Sequence, residues 1–250
     1  MRRLFPAVEP DLDVDLDAAY WVEDPGDQYV STVMISSADG AAQADGRSGG
    51  LGNAADKRLF ALLRAQAEVI LVGAGTARIE GYGGEHPTAE MRALRQRHGL
   101  PAVPRIAVVT NRAALEPSGP LFTDTEVRPL VITSAAAPAD AVSALAECAD
   151  IVVAGADAVD PAVALDALRD RGLRRVSCEG GPNLLAQLIA CGRLDEMSLT
   201  IAPTLLAGAA RRITDGPELA APVTLGLMHI LEDGDHLFVR YRVTPHGSAA

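Results

Sequence analysis

The residues best suited to chemistry lie where a short apolar run ends in two glycines and a helix begins. In residues 174–190, Cys178 closes the run, Glu179 and Gly180-Gly181 follow, and Pro182 opens an amphipathic helix. Proline suits a first helical turn because its missing N–H would be unpaired there. The free N–H groups, the positive end of the helix dipole and the bare glycines favour a phosphate or pyrophosphate ligand. Taken alone, the segment would be better interpreted as an ordinary junction between strand and helix.

A second glycine turn, Gly73-Ala74-Gly75-Thr76, follows the apolar residues 69–72. It matches the Rossmann fingerprint poorly, because Arg78 replaces the third glycine and no acidic residue ends a later strand at the required distance. Taken alone, this segment is slightly better explained as a tight turn between strand and helix. Two such turns at the carboxyl ends of parallel strands would hold a pyrophosphate between them, which favours a dinucleotide. Thr110-Asn111-Arg112 follows a third strand and offers a cation to a 2′-phosphate, unless Arg112 is only a solvated loop residue.

Two acids end strands beside glycine turns. Asp39 and Glu179 could each position a substrate or supply a proton, and we take them as the catalytic candidates. Asp39 could instead satisfy its own β-turn. Ser48 and Arg64 place a hydroxyl and a guanidinium near the two ends of one helix, although each alone could be a surface residue. The remaining cations nearby, at positions 57, 58 and 92–97, are interpreted as solvated helix faces.

The elements that must position these residues alternate between β and α patterns. Strands are predicted at Tyr29–Ser37, 69–72, 106–110, Leu130–Thr133, 151–153, Arg175–Cys178 and Glu196–Ala202. Helices are predicted at 53–66, with Asn53 as the cap, and at 89–98, 139–148, 161–171 and Pro182–Ala190. A hairpin over 223–231 and 236–243 closes the chain around Asp233-Gly234.

This alternation predicts an α/β fold with a mostly parallel central sheet flanked by helices and an antiparallel C-terminal hairpin. Residues 1–27 are expected to form an irregular extension, in which Leu12, Val14 and Leu16 could make a short edge strand. Residues 28–250 contain no internal repeat or obvious linker, so we predict a single domain there.

The composition excludes several classes of function. The chain has 250 residues with 33 acidic and 22 basic side chains, and a net charge of −11 opposes the basic surface that nucleic-acid binding needs. The three cysteines form no Cys-x-x-Cys pair and the five histidines show no metal-ligand spacing. We therefore predict buried free thiols, no metal and a reducing, cytoplasmic compartment. We recognise neither a leader nor a membrane-spanning stretch, so no membrane partner is expected.

Taken together, the motifs resemble a known family in order and approximate spacing. They are Ser36-Ser37-Ala38-Asp39-Gly40, Gly46-Arg47-Ser48, Leu63-Arg64-Ala65, residues 69–76, Glu179-Gly180-Gly181-Pro182, Asp195-Glu196 and Ala202-Pro203. Over residues 28–245 they are similar to the pyrimidine-reductase domain of the bifunctional deaminase-reductase of bacterial riboflavin biosynthesis. The resemblance implies a fold like that of dihydrofolate reductase.

The resemblance also implies a reaction. The expected activity is NADPH-dependent reduction of 5-amino-6-(5-phosphoribosylamino)uracil, in which hydride transfer to ribose C1′ opens the sugar. Ser48 and Arg64 would hold the phosphate end of this small-molecule substrate, and Glu179 its pyrimidine or reacting centre. Besides residues 110–112, the implied cofactor site comprises Ile35, Gly50, Gly75, Thr76, Glu80, Gly180, Gly181, Pro182, Asn183 and Leu184. A homodimer is expected from the family, and the hairpin edge at 223–243 and the apolar residues 199–210 favour it.

The chain departs from the family at several positions. Val33 stands on the first strand where many relatives have lysine, Gly50 replaces an aromatic residue, and Glu80-Gly81 replaces an acidic pair. The zinc motifs of the deaminase are missing, so we expect a reductase alone. Two other functions stay open. One is an NADPH-dependent dihydrofolate or dihydropterin reductase, which Val33 favours and the combination of Ser48 and Arg64 opposes. The other is a non-catalytic nucleotide-binding protein.

Overall fold

The computed structural model of the chain describes residues 1–6 and 14–244. Its strands are β1 (Arg2–Phe5), β2 (Tyr29–Ser37), β3 (Val69–Gly73), β4 (Arg105–Val109), β5 (Leu130–Thr133), β6 (Asp150–Val153), β7 (Arg175–Cys178), β8 (Glu196–Ala202), β9 (Thr224–Asp233) and β10 (His236–Thr244). Its helices are α1 (Leu16–Tyr20), α2 (Ala54–Gln66), α3 (Ala74–Glu80), α4 (Ala89–Arg97), α5 (Pro120–Thr123), α6 (Ala139–Ala146), α7 (Pro161–Arg169) and α8 (Pro182–Ala190). A single 3₁₀ turn at Ser48–Gly50 completes the described elements.

All of these strands form one sheet in the order β1-β9-β10-β8-β2-β7-β3-β4-β5-β6. The strands from β8 to β6 in this order are parallel, whereas β1, β9, β10 and β8 pair antiparallel. The predicted α/β fold with an antiparallel C-terminal hairpin is therefore confirmed. Parallel strands with helices between them are buried on both faces, which explains their nearly continuous apolar sequences.

Two helical layers cover the parallel part of the sheet. On one face α7 and α8 pack Leu165, Leu168, Leu185 and Leu188 against the strands, and all four side chains are fully buried. On the other face α3, α5 and α6 pack around a separate apolar cluster. Burying one leucine contributes about 1.5–3 kcal/mol of transfer free energy. These layers fix the strand ends that carry the glycine turns.

Helix α2 covers the hairpin half of the sheet and carries three residues of interest for the site. Asn53 caps it as predicted, because the Asn53 Oδ1 accepts the Asp56 N–H at 2.9 Å. The leucines at 59, 62 and 63 face Leu231 and Phe238 of the hairpin. The helix thereby brings its opposite edge to the carboxyl ends of the central strands.

Arg95 corrects the expectation that the cations at 92–97 are all solvated. It is fully buried, and its guanidinium donates hydrogen bonds to the carbonyls of Ala65, Ala67 and Pro101 at 3.0, 2.6 and 2.6 Å. The last carbonyls of a helix have no partner within it, so an arginine that reaches them is stabilising. Burial lowers the pKa of Arg95 to about 10. Arg95 therefore fastens α4 to the end of α2.

The N-terminal segment is more ordered than its composition indicates. β1 pairs antiparallel with the outer strand of the hairpin, with Arg3 opposite Leu231, and Asp15 caps the short helix α1. An unpaired hairpin edge accepts any backbone of suitable register, which explains a strand without apolar alternation. The sequence also predicted a possible edge strand through Leu12, Val14 and Leu16. Leu12 lies outside the described residues, and Leu16 begins helix α1 instead.

Two further expectations concern membranes and cysteines. Within residues 1–6 and 14–244 we find no helix that combines the length and the apolar character needed to cross a membrane. The cysteines are free thiols, of which Cys178 is buried, Cys148 is partly buried and Cys191 is exposed. The prediction of buried thiols is thus confirmed for Cys178 and wrong for Cys191.

Candidate active site

A cleft of about 230 Å³ opens where β2 extends beyond its neighbour β7. The register pairs Thr32 with Cys178, the last residue of β7, so the rest of β2 faces the chain that leaves β7. Its wall comprises Val33, Met34, Ile35, Ala42, Gln43, Ser48, Gly49, Gly52, Asp56, Lys57, Phe60, Thr76, Ile79, Glu80, Tyr82, Glu179, Gly181 and Pro182. Seven of the predicted site residues therefore meet here: Ile35, Ser48, Thr76, Glu80, Glu179, Gly181 and Pro182.

The two glycine turns form one continuous surface. The Gly73 N–H donates to the Gly180 carbonyl at 2.8 Å, which joins the start of α3 to the start of α8. The Gly180–Gly181 peptide bond is cis, and Gly180 has a φ of +83°, a conformation that favours glycine. A Cβ at Gly181 would lie 2.3 Å from Thr76 Oγ1, whereas one at Gly75 would meet open space. Backbone here can approach a ligand closely, as a pyrophosphate requires.

Arg64 and Glu179 form the polar floor of the site. Arg64 Nε donates to Glu179 Oε1 and Arg64 Nη2 donates to Glu179 Oε2, both at 2.6 Å. This two-point geometry is the strongest form of the arginine–carboxylate contact. The Glu179 side chain is only 2% exposed. Burial works to lower the pKa of Arg64, but the Glu179 and Glu85 charges outweigh it, so the pKa of Arg64 is raised.

A tyrosine and a second carboxylate complete this cluster. Tyr82 donates its hydroxyl proton to Glu179 Oε2, and Arg64 Nη1 donates to Glu85 Oε1. The Arg64 guanidinium also lies 4.4 Å from the centroid of the Phe60 ring. Burial, with the nearby Glu179 charge, raises the pKa of Tyr82, and burial raises the pKa of Glu85. One arginine therefore balances two carboxylates, and Glu179 already accepts three hydrogen bonds.

Ser48 is held by a third carboxylate. Glu80 Oε1 accepts from the Ser48 N–H at 2.9 Å and from the Ser48 hydroxyl at 3.0 Å. These bonds fasten the glycine-rich loop before α2 to the end of α3. A second cavity of about 300 Å³, which Ser48, Arg64, Glu80 and Glu85 help to line, adjoins the cleft. The predicted pair of Ser48 and Arg64 is thus brought together, but with its donors directed to carboxylates.

Asp39 lies away from this cleft. Its carboxylate accepts from the Ser37 hydroxyl, and from the N–H groups of Ala207 and Leu206 at 2.7 and 3.1 Å. The Ser37 and Ala207 hydrogen bonds hold the pKa of Asp39 below its ordinary value. The structure therefore uses Asp39 to fix the loop after β8 and does not bring it to Glu179 as a second catalytic acid.

The predicted residues after β4 lie at the same edge of the sheet but outside the cleft. Asn111 joins two neighbouring segments by hydrogen bonds. Its Oδ1 accepts the Val159 N–H and its carbonyl accepts the Ser134 hydroxyl, both at 2.9 Å. Thr110 is buried. Arg112 is exposed, and its side chain has no hydrogen-bond or ion-pair partner in the part of the chain that the structure describes.

The surroundings of Leu184, Asn183 and Gly50, three other predicted cofactor contacts, limit what each can offer to a ligand. The Leu184 side chain is buried in the core, so only its backbone can meet a ligand. Asn183 accepts a hydrogen bond from Gln187 at 2.6 Å on the surface of α8. Gly50 ends the 3₁₀ turn, where an added Cβ would lie 3.3 Å from the Ala44 Cβ.

Among the residues that the sequence did not identify are Lys57, Phe60 and Tyr82, which line the cleft, and Glu85, which pairs with Arg64. Lys57, Phe60 and Arg64 lie three and four residues apart, so they share one face of α2. That spacing was the available signal, and it was outweighed by the assumption of a solvated helix. Tyr82 and Glu85 lie in a glycine-rich loop without any periodicity that could have identified them.

Comparison with known proteins gives one consistent result. The profile of the RibD C-terminal domain matches residues 28–239. A 2,5-diamino-6-ribosylamino-4(3H)-pyrimidinone 5′-phosphate reductase from Archaeoglobus fulgidus is 31% identical over 153 residues, covering 61% of this chain and 69% of that protein. Its namesake from Methanothermobacter thermautotrophicus is 27% identical over 223 residues, covering 84% and 92%. The crystal structure of a pyrimidine reductase-like protein from Corynebacterium diphtheriae matches with a TM-score of 0.79 at 28% identity, covering 87% and 92%.

Proposed function

Because the chain belongs to the family of the RibD C-terminal domain, we propose that it reduces a phosphorylated ribosylaminopyrimidine of riboflavin biosynthesis. It is a reductase, and therefore an oxidoreductase. One observation carries the proposal: the two joined glycine turns share a cleft with Glu179, and Arg64 holds the Glu179 carboxylate from the adjoining cavity. The glycine turns suit a dinucleotide, and the Arg64–Glu179 pair suits a polar substrate beside it.

NADPH is the proposed cofactor, and when bound it supplies the hydride. The two glycine turns would hold its pyrophosphate, with Gly75, Thr76 and the start of α8 as the contacts. Their fit rests on the open backbone at Gly75 and on the absence of a side chain at Gly181. Arg112 would meet the 2′-phosphate, since its guanidinium is exposed and has no competing carboxylate among the described residues. This contact would favour NADPH over NADH.

Glu179 and Arg64 would orient the substrate. A carboxylate has about four lone-pair sites, and Arg64 and Tyr82 occupy three of those on Glu179. The remaining site can accept an N–H of the pyrimidine or an O–H of the sugar. Ser48 lies on the same wall and can add a hydroxyl contact. Hydride transfer depends mainly on geometry and exclusion of water, so an array of fixed acceptors suits it.

The pyrimidine itself has two forms to consider. The sequence analysis indicates a uracil, whereas both curated relatives are named for a pyrimidinone that still carries an amino group at ring position 2. The proposal covers the shared part of these molecules, a 6-ribosylamino group with a 5′-phosphate. Turnover of the two pyrimidines, compared side by side, identifies the preferred ring.

We further propose a homodimer and, as predicted from the sequence, a cytoplasmic location. β1 covers only residues 230–232 of β9, which leaves the first half of that strand without a neighbour on its outer side within the described chain. Leu225 and Leu227 are 38% and 39% exposed on this stretch. An uncovered edge with exposed leucines favours pairing with another copy.

The test is the loss of NADPH absorbance with each freshly prepared pyrimidine, and with dihydrofolate in parallel. We expect oxidation with one or both pyrimidines, formation of the ribityl product, and slow or no oxidation with dihydrofolate. Glu179→Gln serves as the matched variant, because it keeps the shape and removes the charge that orients Arg64. Turnover of dihydrofolate alone, or equal activity of Glu179→Gln, would contradict the proposal.

A further inference from the structure

Tyr82 lies at the boundary between the two cavities of the site and lines both of them. Glu179 lines the larger cleft, whereas its partner Arg64 lines the adjoining cavity. The Tyr82 hydroxyl donates to Glu179 Oε2, and the centroid of the Tyr82 ring lies 5.2 Å from the Arg64 Cζ. Tyr82 therefore contacts both members of the ion pair from the wall that the two cavities share.

The end of helix α3 fixes the position of Tyr82. Gly81 closes the helix with a φ of +74°, and the Tyr82 N–H donates to the Ala77 carbonyl at 2.9 Å. This is the hydrogen bond of a Schellman helix end, which holds the residue that follows the glycine. The Tyr82 ring packs, partly buried, against the apolar cluster that includes Ala77. Backbone and ring are thus both held in place, with the hydroxyl directed to Glu179.

Arg64 and Tyr82, the two side chains that donate to Glu179, differ in what else they attract. Arg64 also donates to Glu85, and a guanidinium attracts any further anion that enters the site. Tyr82 has a single hydroxyl proton, which Glu179 accepts. Burial and the Glu179 charge raise the pKa of Tyr82, so the phenol keeps this proton at neutral pH. An anionic substrate therefore competes with Glu179 for Arg64 more than it competes for Tyr82.

We propose that Tyr82 is a positioning residue of the reductase and acts through Glu179; this inference rests on the proposed function. The hydrogen bond at Oε2 fixes the rotation of the Glu179 carboxylate, and with it the direction of the lone pair that is left for the substrate. A substrate N–H or O–H bound to that lone pair sets where the reacting carbon lies. A displacement of about 1 Å at a reacting centre lowers the rate about 100-fold. Tyr82 thereby contributes to the rate of reduction without contacting the reacting atoms.

The kinetic test is a double-mutant cycle between Tyr82→Phe and Glu179→Gln, measured in single-turnover reactions that detect slow variants. Phenylalanine keeps the ring packing and removes one hydrogen bond to a charged group, which is equivalent to about 10- to 100-fold. We expect Tyr82→Phe to lower kcat/KM by this factor, mainly through kcat, because the remaining contacts still bind the substrate. In the Glu179→Gln background the same substitution should have little further effect. An additive loss in the double variant, or an unchanged kcat in Tyr82→Phe, would overturn the proposal.

Tyr29→Phe is the matched control for the kinetic test. The Tyr29 hydroxyl donates at 2.5 Å to Glu196, so this variant loses the same kind of hydrogen bond at a carboxylate that does not line the cleft. We expect Tyr29→Phe to keep the wild-type kcat and KM. We also expect Tyr82→Phe to keep the wild-type Kd for NADPH, because its hydroxyl contacts Glu179 and not the glycine turns. Equal losses of kcat in the two tyrosine variants would make the effect of Tyr82 structural and would overturn the proposal.

A binding measurement separates this inference from the proposed function. The probes are 6-aminouracil and 2,6-diaminopyrimidin-4-one, which keep N–H donors for a carboxylate, lack the sugar and phosphate, and need no turnover. In an NMR titration, Tyr82→Phe and Glu179→Gln should weaken the better-bound ring by similar factors, and the double variant should weaken it no further. If the wild type reduces neither phosphorylated pyrimidine, the proposed function fails, and these Kd values still decide whether Tyr82 acts through Glu179. No binding of either ring by the wild type, or a wild-type Kd in Tyr82→Phe, would overturn the positioning role.

Discussion

Replacing Arg64 by alanine should destabilise the protein strongly, because it leaves acids without their partner. The substitution removes three charge-assisted hydrogen bonds, two of them at 2.6 Å to a Glu179 side chain that is only 2% exposed. Glu85, at 15% exposure, loses the one guanidinium contact that it makes among residues 1–6 and 14–244. Removing one partner of a buried ion pair costs about 3–5 kcal/mol, since the remaining charge cannot regain its hydration. We expect a loss of this size for Arg64→Ala near pH 8.

The loss should depend on pH in a defined direction. Burial already raises the pKa of Glu85 in the folded protein, and Arg64→Ala removes the positive charge that opposes this increase. A carboxyl with a raised folded pKa destabilises at high pH, and this penalty disappears as the pH falls through that pKa. Each unit of increase is equivalent to about 1.4 kcal/mol. The deficit of Arg64→Ala should therefore shrink at pH 5, and adding Glu179→Gln should recover much of it at pH 8.

Urea unfolding monitored by Trp21, the single tryptophan, measures these differences. Trp21 stacks on His98 with ring centroids 3.6 Å apart, so its emission should change on unfolding. Arg169→Ala is the control, because Arg169 pairs with Asp166 at the surface, and exposed pairs contribute less than about 1 kcal/mol. The reasoning is refuted if Arg64→Ala costs no more than this control, or if its cost is the same at both pH values.

The other predictions concern the cofactor, acid stability and assembly. Gly181→Val should abolish NADPH binding in a fluorescence titration, since even a Cβ would lie 2.3 Å from Thr76 Oγ1. Unchanged affinity for NADPH would contradict the proposed position of the cofactor site. In the same titration Arg112→Ala should weaken NADPH about 10- to 100-fold and spare NADH, and equal losses would argue against a 2′-phosphate contact. Burial lowers the pKa of His229 from 6.5 to about 4, so the folded state resists protonation and loses stability as the pH falls below 6.5, by roughly 2 kcal/mol at pH 5. In urea unfolding, the free energy of unfolding of His229→Gln should fall less between pH 7 and pH 5 than that of the wild type. An identical fall would show that His229 is not the cause. Leu227→Glu should convert a dimer to a monomer in light scattering, and a monomeric wild type would contradict the proposed assembly.

The parts of the fold that follow local rules were predictable from the sequence. β2, β5, β7, β8 and α8 have the predicted bounds, and a glycine or proline lies within three residues of at least one end of each, where its effect is local. The family resemblance, which rests on motifs at those closures, is confirmed by the match over residues 28–239. Motifs at strand ends combine local structure with chemistry, so they identify family and fold together.

What the sequence could not predict depends on contacts between distant residues. Glu85 meets Arg64 across 21 positions and through a loop with three glycines, so no spacing rule connects them. Arg95 belongs to a helix of charged residues, and only the arrangement of α4 on α2 decides that it is buried. The pairing of β1 with the hairpin likewise depends on an edge formed more than 200 residues later. Tertiary packing decided all three.

The acidic character of the chain makes the placement of free cations decisive. With a net charge of −11, the protein repels both an anionic cofactor and a phosphorylated substrate at long range. At an ionic strength of 0.1 M this repulsion is screened beyond about 10 Å, whereas contacts inside a cleft are screened much less. Binding therefore depends on cations that carboxylates have not already neutralised. Arg64 is paired with two carboxylates, whereas the exposed Arg112 has no hydrogen-bond or ion-pair partner among the described residues. Under the proposed function Arg112 is therefore better suited than Arg64 to meet an added phosphate, because no carboxylate already balances its charge.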